Sequence, residues 1–474
     1  MRLWTRQNHI GGYVMGQYLY GASLQGLQEF IFKTNKLREI VGASEIIKAF
    51  DEIDLQAEFH LSSKPEIILK AAGNLRVIFD NEPDVKKVVK YLPKKILQSA
   101  YGVNLSQSVV VMSEYKSASA KLEKNLKIAR NKVCLPLDTH LSICAINPRT
   151  GLSAIEKDGK EMLDTSVKQK LQAFNEAVNK NKALAQDINA IKNKKNKIAV
   201  IHIDGNGLGG IVRGLEKDEM KAFSQKLDSA TKEAYKQTLE SIIDSNPAYQ
   251  NALRDIILGG DDVTLICNAN IALDLSEKFL ENFELKTQNI HKQSSLTACA
   301  GIAYCNEKFP FFYAVKLAED LCAYAKKDAK EINPKLPPSC LMFHNIQGSY
   351  VESFSQFLDE ELSINSVRCD FGPYYLRDIE NKPSIKAFKS LIQDFKKDNS
   401  PKGRLRDWLN SLKFNKEYAK AESIRIAEIF KDKWESKNLT ILHRELSLAN
   451  LILMIDNVEK TPIYDILQIL SVQD

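Results

Sequence analysis

KIAVIHIDG (197–205), DIILGG (255–260) and DVTLICN (262–268) decide how the centre of this chain is to be read. The first is a short apolar run ending in Asp-Gly, a buried strand that stops at a turn. The other two are β-rich runs that meet at Gly259-Gly260-Asp261-Asp262, a hairpin signal. Residues 217–243 between them read as a long helix, and residues 273–285 as another. SLTACAGIAYC (295–305) is a fourth strand, and PFFYAVKLAEDLCAYAKKDAK (310–330) is a closing amphipathic helix with Pro310 suited to its first turn. Strand, helix, strand, strand, helix, strand, helix is the split βαβ order with one helix added.

The same order runs through the N-terminal part. QYLYGASL (17–24) reads as a strand, 25–53 as helical turns, EIILKAAG (66–73) with NLRVIFD (74–80) as a hairpin, 85–100 as a helix, QSVVVMSE (107–114) as a strand and 118–132 as a helix. The expected fold class is therefore α+β, with two ferredoxin-like palms in tandem. The expected domains are a degenerate palm-like domain over 1–134, a connecting region with a lysine-rich linker over 135–196, a GGDD palm over 197–336 and a helical C-terminal domain over 337–474. Helical periodicity in that last part covers 350–362, 385–396, 404–412, 418–429 and 441–455.

Composition sets bounds. The 474 residues are 44% hydrophobic and 27% charged, enough apolar material for several cores. A net charge of +6 serves solubility and is compatible with a phosphate-rich ligand. Eight cysteines with no CxxC pair, in a chain this long, argue against a disulfide framework and for a reducing compartment. MRLWTRQNHIGGY (1–13) has no apolar core of a signal peptide, and no apolar run approaches the roughly 20 residues of a membrane span. The expectation is a cytoplasmic protein that does not engage a membrane.

The chemistry converges on the hairpin tip. Gly259 and Gly260 permit a tight turn and let phosphate or metal approach the backbone. Asp261 and Asp262 place two carboxylates there. In a split βαβ sheet the first strand runs antiparallel beside the third, so Asp204 arrives next to them. Carboxylates so close repel one another. A hard divalent cation, Mg²⁺ or Mn²⁺, removes that repulsion and completes its shell with water and substrate phosphates. Two such ions can clamp the attacking and leaving oxygens of an in-line displacement, and nucleotidyl transfer needs mainly positioning and charge neutralisation. A solvent-exposed type I′ turn would also favour Gly and Asp, but not an aspartate at the matching strand end.

In HIDGNGLGGIV (202–212), Gly205, Asn206 and Gly207 can offer backbone N–H groups to a triphosphate at the start of the next helix. Lys326, and less so Lys327, can reach phosphate from the closing helix. His202 lies two residues before Asp204 on the same strand face and reads as a packed strand histidine. The seven histidines form no HExxH and none precedes an aspartate, and no GxSxG or zinc-ligand spacing is present.

These motifs resemble the large polymerase-cyclase subunit of type III CRISPR effector complexes, and equally a stand-alone signalling relative akin to the minimal CRISPR polymerases. GASLQGLQEFIFKTNKLREIVGASEII (21–47) looks like the first-palm entry of that family, and IDGNGLG, LGGDDV, LTACAGIAY and FFYAVKLAEDLCAYAKKDAK follow in its second-palm order. The last segment is also similar to the closing helix of diguanylate cyclases, whose phosphate-contacting lysine maps onto Lys326. The resemblance implies a first palm that holds an acceptor ATP without catalysing, and a second that holds donor ATP and metal through Asp204, Asp261 and Asp262. The product would be a cyclic oligoadenylate or dinucleotide messenger in antiviral defence. AAGN (71–74) in place of GGDD, and Ser23-Leu24 in place of a strand-end Asp, fit an inactive first palm. The chain departs from the family in showing no histidine-aspartate nuclease motif and in keeping Cys144 alone where relatives often bind zinc. Implied partners are nucleoside triphosphates, with RNA or CRISPR-type effector subunits; a monomer and a homodimer are both compatible with two palms in one chain. A nucleotide-binding scaffold without turnover and a template-directed polymerase are the alternatives.

Overall fold

The structure is a computed structural model describing residues 16–132, 143–180, 187–290, 294–348, 353–434, 440–442 and 444–474. The parts of the expected connecting region and of the 350–362 and 441–455 helices that fall in the gaps lie outside the described residues, as do residues 1–15. The chain divides into two compact units. One comprises Met1–Asp187, Leu208–Ser229 and Ile256–Gly260; the other comprises Ile188–Gly207, Ala230–Asp255 and Asp261–Asp474.

The first unit opens with β1 (Gln17–Gln25), α1 (Leu27–Phe32), α2 (Leu37–Glu52), α3 (Leu55–Phe59), β2 (Glu66–Ala71), β3 (Asn74–Phe79), α4 (Glu82–Ser99), β4 (Asn104–Met112) and α5 (Tyr115–Arg130). The four strands form one antiparallel sheet in the order β2-β3-β1-β4, the ferredoxin-like arrangement expected of a palm. Period-2 apolar residues make its core: Leu19, Ile68, Ile78 and Val110 pack against Leu122 and Leu126 of α5. Each such fully buried side chain contributes about 1.5–3 kcal/mol. Asn81 caps α4 by accepting from Asp84 N–H, and Asp84 itself is buried; burial raises its carboxyl, but hydrogen bonds from the Asn81 amide and from Ser62 outweigh that and hold it down at about 2.

The segment expected as a connecting region has regular structure among its described residues. It carries a hairpin, β5 (Ala154–Asp158) and β6 (Glu161–Asp164), then α6 (Thr165–Lys180). Helix α6 packs on α2 so closely that a Cβ on Gly42 would stand 1.8 Å from the Lys170 carbonyl oxygen. Lys170 is buried there, donates to Phe30 O at 2.6 Å, and burial lowers it to about 8.

The second palm follows with β7 (Lys197–Gly205), α7 (Leu208–Val212), α8 (Lys217–Ser245), β8 (Leu253–Gly259), β9 (Asp262–Asn268), α9 (Ala272–Lys286), β10 (Ala298–Asn306) and α10 (Phe311–Ile332). Helix α8 and strand β8 each supply residues to both units. Past Pro338 the chain enters β11 (Cys340–Asn345), which joins the same sheet parallel to β10. The elements beyond are α11 (Phe354–Glu360), β12 (Ser363–Ile364), β13 (Val367–Arg368), β14 (Tyr374–Tyr375), α12 (Ile385–Lys396), α13 (Lys402–Phe414), α14 (Lys416–Phe430), β15 (Thr440–Ile441), β16 (Arg444–Glu445), β17 (Leu453–Ile455), β18 (Val458–Lys460) and α15 (Ile463–Val472). The palm sheet is six-stranded in the order β14-β11-β10-β7-β9-β8. Strands β10-β7-β9-β8 repeat the order β4-β1-β3-β2 of the first palm. Strand β7 is central, with Ile198, Ile201 and Ile203 wholly buried. Cys267, Cys299, Cys305 and Cys322 are buried thiols, as their apolar surroundings imply.

The helices expected at 385–396, 404–412 and 418–429 are α12, α13 and α14. The helix expected over 441–455 does not form. Among the described residues this stretch holds short strands and turns, and β17 pairs with β18 across a two-residue turn in which Asp456 and Asn457 both have positive φ. Burial alternates there, with Leu453 and Ile455 inside and Met454 outside, so the period is 2 rather than 3.6. Helix α15 was not expected. Its Asp465 accepts from the Tyr374 hydroxyl at 2.8 Å and from Phe371 N–H at 3.0 Å.

Candidate active site

The β7–β9 register puts Asp204 directly opposite Asp262 and His202 directly opposite Thr264. The four residues lie on one face of the sheet, since positions two apart share a face. Asp261 sits in the turn that precedes β9. Of the two central turn residues, Gly260 has positive φ (62°) and Asp261 does not. Glycine at the first central position is the type II′ requirement, so the turn is not the I′ form. The matching rung of the first palm pairs Ser23 with Asn74, and Ser23 Oγ donates to Asn74 Oδ1 at 2.7 Å. Its turn residues Ala72 and Gly73 both have positive φ. The same rung is thus neutral and hydrogen-bonded in one palm, and doubly acidic in the other.

Lys326 of α10 ion-pairs with Asp204 Oδ2 and donates to Gly205 O at 2.8 Å. Lys327 is exposed. One turn before Lys326, Cys322 lies against the sheet, its thiol donating to Cys299 O at 3.1 Å. Two turns before it comes Glu319, whose Oε1 is enclosed without a hydrogen-bond partner. Burial, then Asp320, pushes that carboxyl up to about 7.

Burial is also the main cause at the turn. It raises Asp261 to about 6, reinforced by Asp204. It raises Asp262 to about 7, reinforced by Asp204, Asp261 and Glu319 and opposed by Lys326. Asp262 Oδ1 is enclosed and has no hydrogen-bond partner, although 37% of its side chain is open to solvent. His202 is buried and pushed down to about 4, so its ring is neutral.

A carboxyl raised in this way favours the folded protein fully below its ordinary value of 3.8, and that contribution is lost as pH rises through about 7. Allowing for solvent at the carboxylate, the loss attributable to Asp262 is about 1–2 kcal/mol. Asp262→Asn is therefore expected to melt a few degrees above the native protein at pH 8 and level with it at pH 4. Thermal unfolding at the two pH values checks this.

The glycine-rich stretch behaves differently from its sequence reading in one respect. Asn206 N–H donates to Thr297 O at 2.8 Å, so it is not free for phosphate. The Asn206 amide donates to Thr297 Oγ1 at 3.2 Å and to Pro337 O at 3.3 Å. Asn206 therefore ties the end of β7 to the approach to β10. Gly207 has positive φ (71°) and leads into α7, a helix of five residues. A Cβ on Gly260 would meet nothing within 4 Å.

Among the described residues, no three His, Cys, Asp or Glu side chains form a ready ligand set for a metal ion. The donors nevertheless suit Mg²⁺, which binds through one or two carboxylates and takes its remaining oxygens from water and phosphate. The Asp262 carboxyl, with 37% of its side chain open to solvent, can turn an oxygen towards such an ion.

The fold is that of tandem palm domains. Residues 197–333 match the family model described as Cas10/Cmr2, second palm domain. Solved structures of the same fold include a Csm1-Csm4 cassette in complex with pppApA, at 13% identity over 97% of this chain and 70% of that one, with a TM-score of 0.58. A Csm1-Csm4 cassette in complex with cA4 matches at 12% identity over 97% and 70%, with a TM-score of 0.55. Csm1 from T. onnurineus matches at 13% over 97% and 70%, with a TM-score of 0.56. No curated protein sequence matches the chain. The segment 197–333 is thus a second palm of the Cas10/Cmr2 kind, and the resemblance to the large polymerase-cyclase subunit of type III CRISPR effector complexes holds. No helix among the described residues is long and apolar enough to cross a membrane.

Proposed function

We propose that this chain is a metal-dependent nucleotidyltransferase that joins ATP, or another nucleoside triphosphate, into a cyclic oligonucleotide messenger of antiviral defence. The observation that carries the reading is the acidic rung Asp204–Asp262, with Asp261 beside it, at the hairpin turn of a Cas10/Cmr2-type second palm. Support also comes from the ligands of the structures it resembles, Csm1-Csm4 cassettes in complex with one ATP, pppApA or cA4.

In the reaction, a ribose hydroxyl of an acceptor nucleotide attacks the donor α-phosphate, forming a phosphodiester and releasing pyrophosphate; the hydroxyl proton passes to solvent or to a basic oxygen of the site. Asp204, Asp261 and Asp262 would hold Mg²⁺ or Mn²⁺, which supplies charge neutralisation at the reacting phosphate. Gly260, where a Cβ would meet nothing within 4 Å, leaves room for phosphate against the backbone, and Gly205, Gly207 and Gly259 complete the proposed phosphate-binding backbone. Asn206 fixes the loop through its amide. Lys326 exchanges its ion pair with Asp204 for a shared position between that carboxylate and the incoming phosphates. Lys326→Ala is expected to lower kcat/KM about 10- to 100-fold, checked by steady-state pyrophosphate release. The boundaries 1–134, 135–196, 197–336 and 337–474 remain our proposal for the functional division of the chain, and partnership with type III effector subunits or RNA belongs to it. So do a cytoplasmic location and a monomeric or homodimeric state.

A second reading is a scaffold that binds nucleotide without turnover. The occupation of Asp204 by Lys326 favours it. Calorimetric titration with ATP and Mg²⁺, run beside a pyrophosphate assay, separates the two. Binding with sustained pyrophosphate release supports the transferase; binding with none supports the scaffold.

A further inference from the structure

We propose that His202 is a positioning residue that orients the Asp262 carboxylate for the cation it receives, an inference that rests on the nucleotidyl-transfer reading of the same site. His202 occupies the rung next to the acidic one, and its partner across the ladder is Thr264. Its Nδ1 stands 3.3 Å from Thr264 Oγ1 and 3.6 Å from Asp262 Oδ1. The latter oxygen is the enclosed one that lacks a hydrogen bond. A separation of 3.6 Å is too long for a hydrogen bond, and an approach of about half an ångström makes it one. Hydrogen bonds at catalytic sites are often long before the ligands arrive and tighten afterwards.

The surroundings leave the imidazole little freedom. His202 and Thr264 are both buried, and the β7–β9 ladder fixes them directly opposite one another. With the proton on Nδ1, the ring offers one N–H to the gap between the threonine hydroxyl and the aspartate. An ionised carboxylate oxygen shut away from water needs such a donor. The other carboxylate oxygen is then turned towards the open side. The role requires one N–H in one place and no change of charge. A histidine serving merely to fill the space between strands would affect stability but not the affinity of Asp262 for a cation.

Partners that orient a metal-binding carboxylate typically change metal affinity or activity 10- to 100-fold when removed. The test is the binding of Mn²⁺ alone to the purified chain, followed by the electron paramagnetic resonance of free Mn²⁺, with thermal unfolding in parallel. His202→Ala is expected to weaken binding about 10-fold or more. His202→Asn, whose amide N–H falls where Nδ1 was, is expected to recover most of it. Thr264→Val keeps the shape, removes the hydroxyl and is expected to cause a smaller loss in the same direction. Asp262→Asn is the reference for loss of the site. Native-like Mn²⁺ affinity in folded His202→Ala, with Asp262→Asn still impaired, overturns the positioning role and leaves the wider reading intact. Equal affinities in the native protein and Asp262→Asn overturn both. Should His202→Ala fail to fold, His202→Gln, which keeps the bulk but moves the amide outward, takes its place with the same expected loss.

Discussion

Replacing Asp261 and Asp262 together with alanine is expected to reduce product formation at least about 1,000-fold while the protein stays folded. The two residues form the turn and the first position of β9. Of the three aspartates, removing these two leaves Asp204 alone, already paired with Lys326. That is too little negative charge to hold a divalent ion against competing water. The substitution should not threaten the fold, because the conformational demand of the turn falls on Gly260, which is unchanged. Both lost carboxyls are ones that burial and then the Asp204 carboxylate push upward, to about 6 and about 7, so their removal relieves unfavourable charge at neutral pH. The double variant should be at least as stable as the native protein at pH 8. Pyrophosphate release measured beside a melting curve checks both halves; a folded variant with native activity would refute the assignment of these two residues.

The largest effect on stability is expected at Gly301. This residue lies in β10 opposite His202 of β7, and α10 crosses it. A Cβ added there would stand 1.9 Å from Ala318 O and 2.5 Å from Cys322 N, both backbone atoms of α10. Neither can swing away as a side chain would, so helix and sheet must separate. Overpacking of this kind costs about 1–3 kcal/mol, and more where rigid backbone is struck. Gly301→Ala is expected to cost at least about 3 kcal/mol by chemical denaturation. It should also lower activity, because Lys326 rides on the helix that is displaced. Gly210→Ala is the control, since a Cβ there meets nothing within 4 Å.

Both palms were legible in the sequence because their strands are short, strongly patterned and bounded by Gly and Asp turns. The acidic rung was legible for a geometric reason. Once the split βαβ order is recognised, antiparallel pairing of the first and third strands forces Asp204 towards Asp262 whatever else the chain does. The turn type was not legible, since Gly-Gly-Asp-Asp serves I′ and II′ alike and backbone φ decides between them. Strand β11 escaped because Pro337-Pro338 reads as a stop, while CLMFHN alone is too short to tell from a helix turn. Residues 441–455 misled because Leu and Ile recur there at both helical and strand spacings. The alternation 453/455 and the Asp456-Asn457 turn were the signals to weigh more heavily.

At the site itself, side chains beside the aspartates carried little weight in the sequence. The sequence places His202 on the face of Asp204 but favours a packing role for it, and Thr264, two after Asp262 and so on the same face, drew no notice. Glu319 stands seven residues before Lys326, hence on the same face of α10, and that spacing was available too. Asn206 was expected to offer its backbone and instead engages its backbone and amide with Thr297 and Pro337. Which of several polar atoms in a loop remains free depends on contacts from distant segments, and no local pattern encodes that.

The most direct test is to incubate the purified chain with each nucleoside triphosphate and Mg²⁺ or Mn²⁺, and to identify the small-molecule products by mass spectrometry. The account predicts a cyclic oligonucleotide with release of pyrophosphate, present with the native protein and absent with the Asp261→Ala, Asp262→Ala variant. The same product from both proteins, or nucleotide binding with no product from either when candidate RNA activators are supplied, would contradict it.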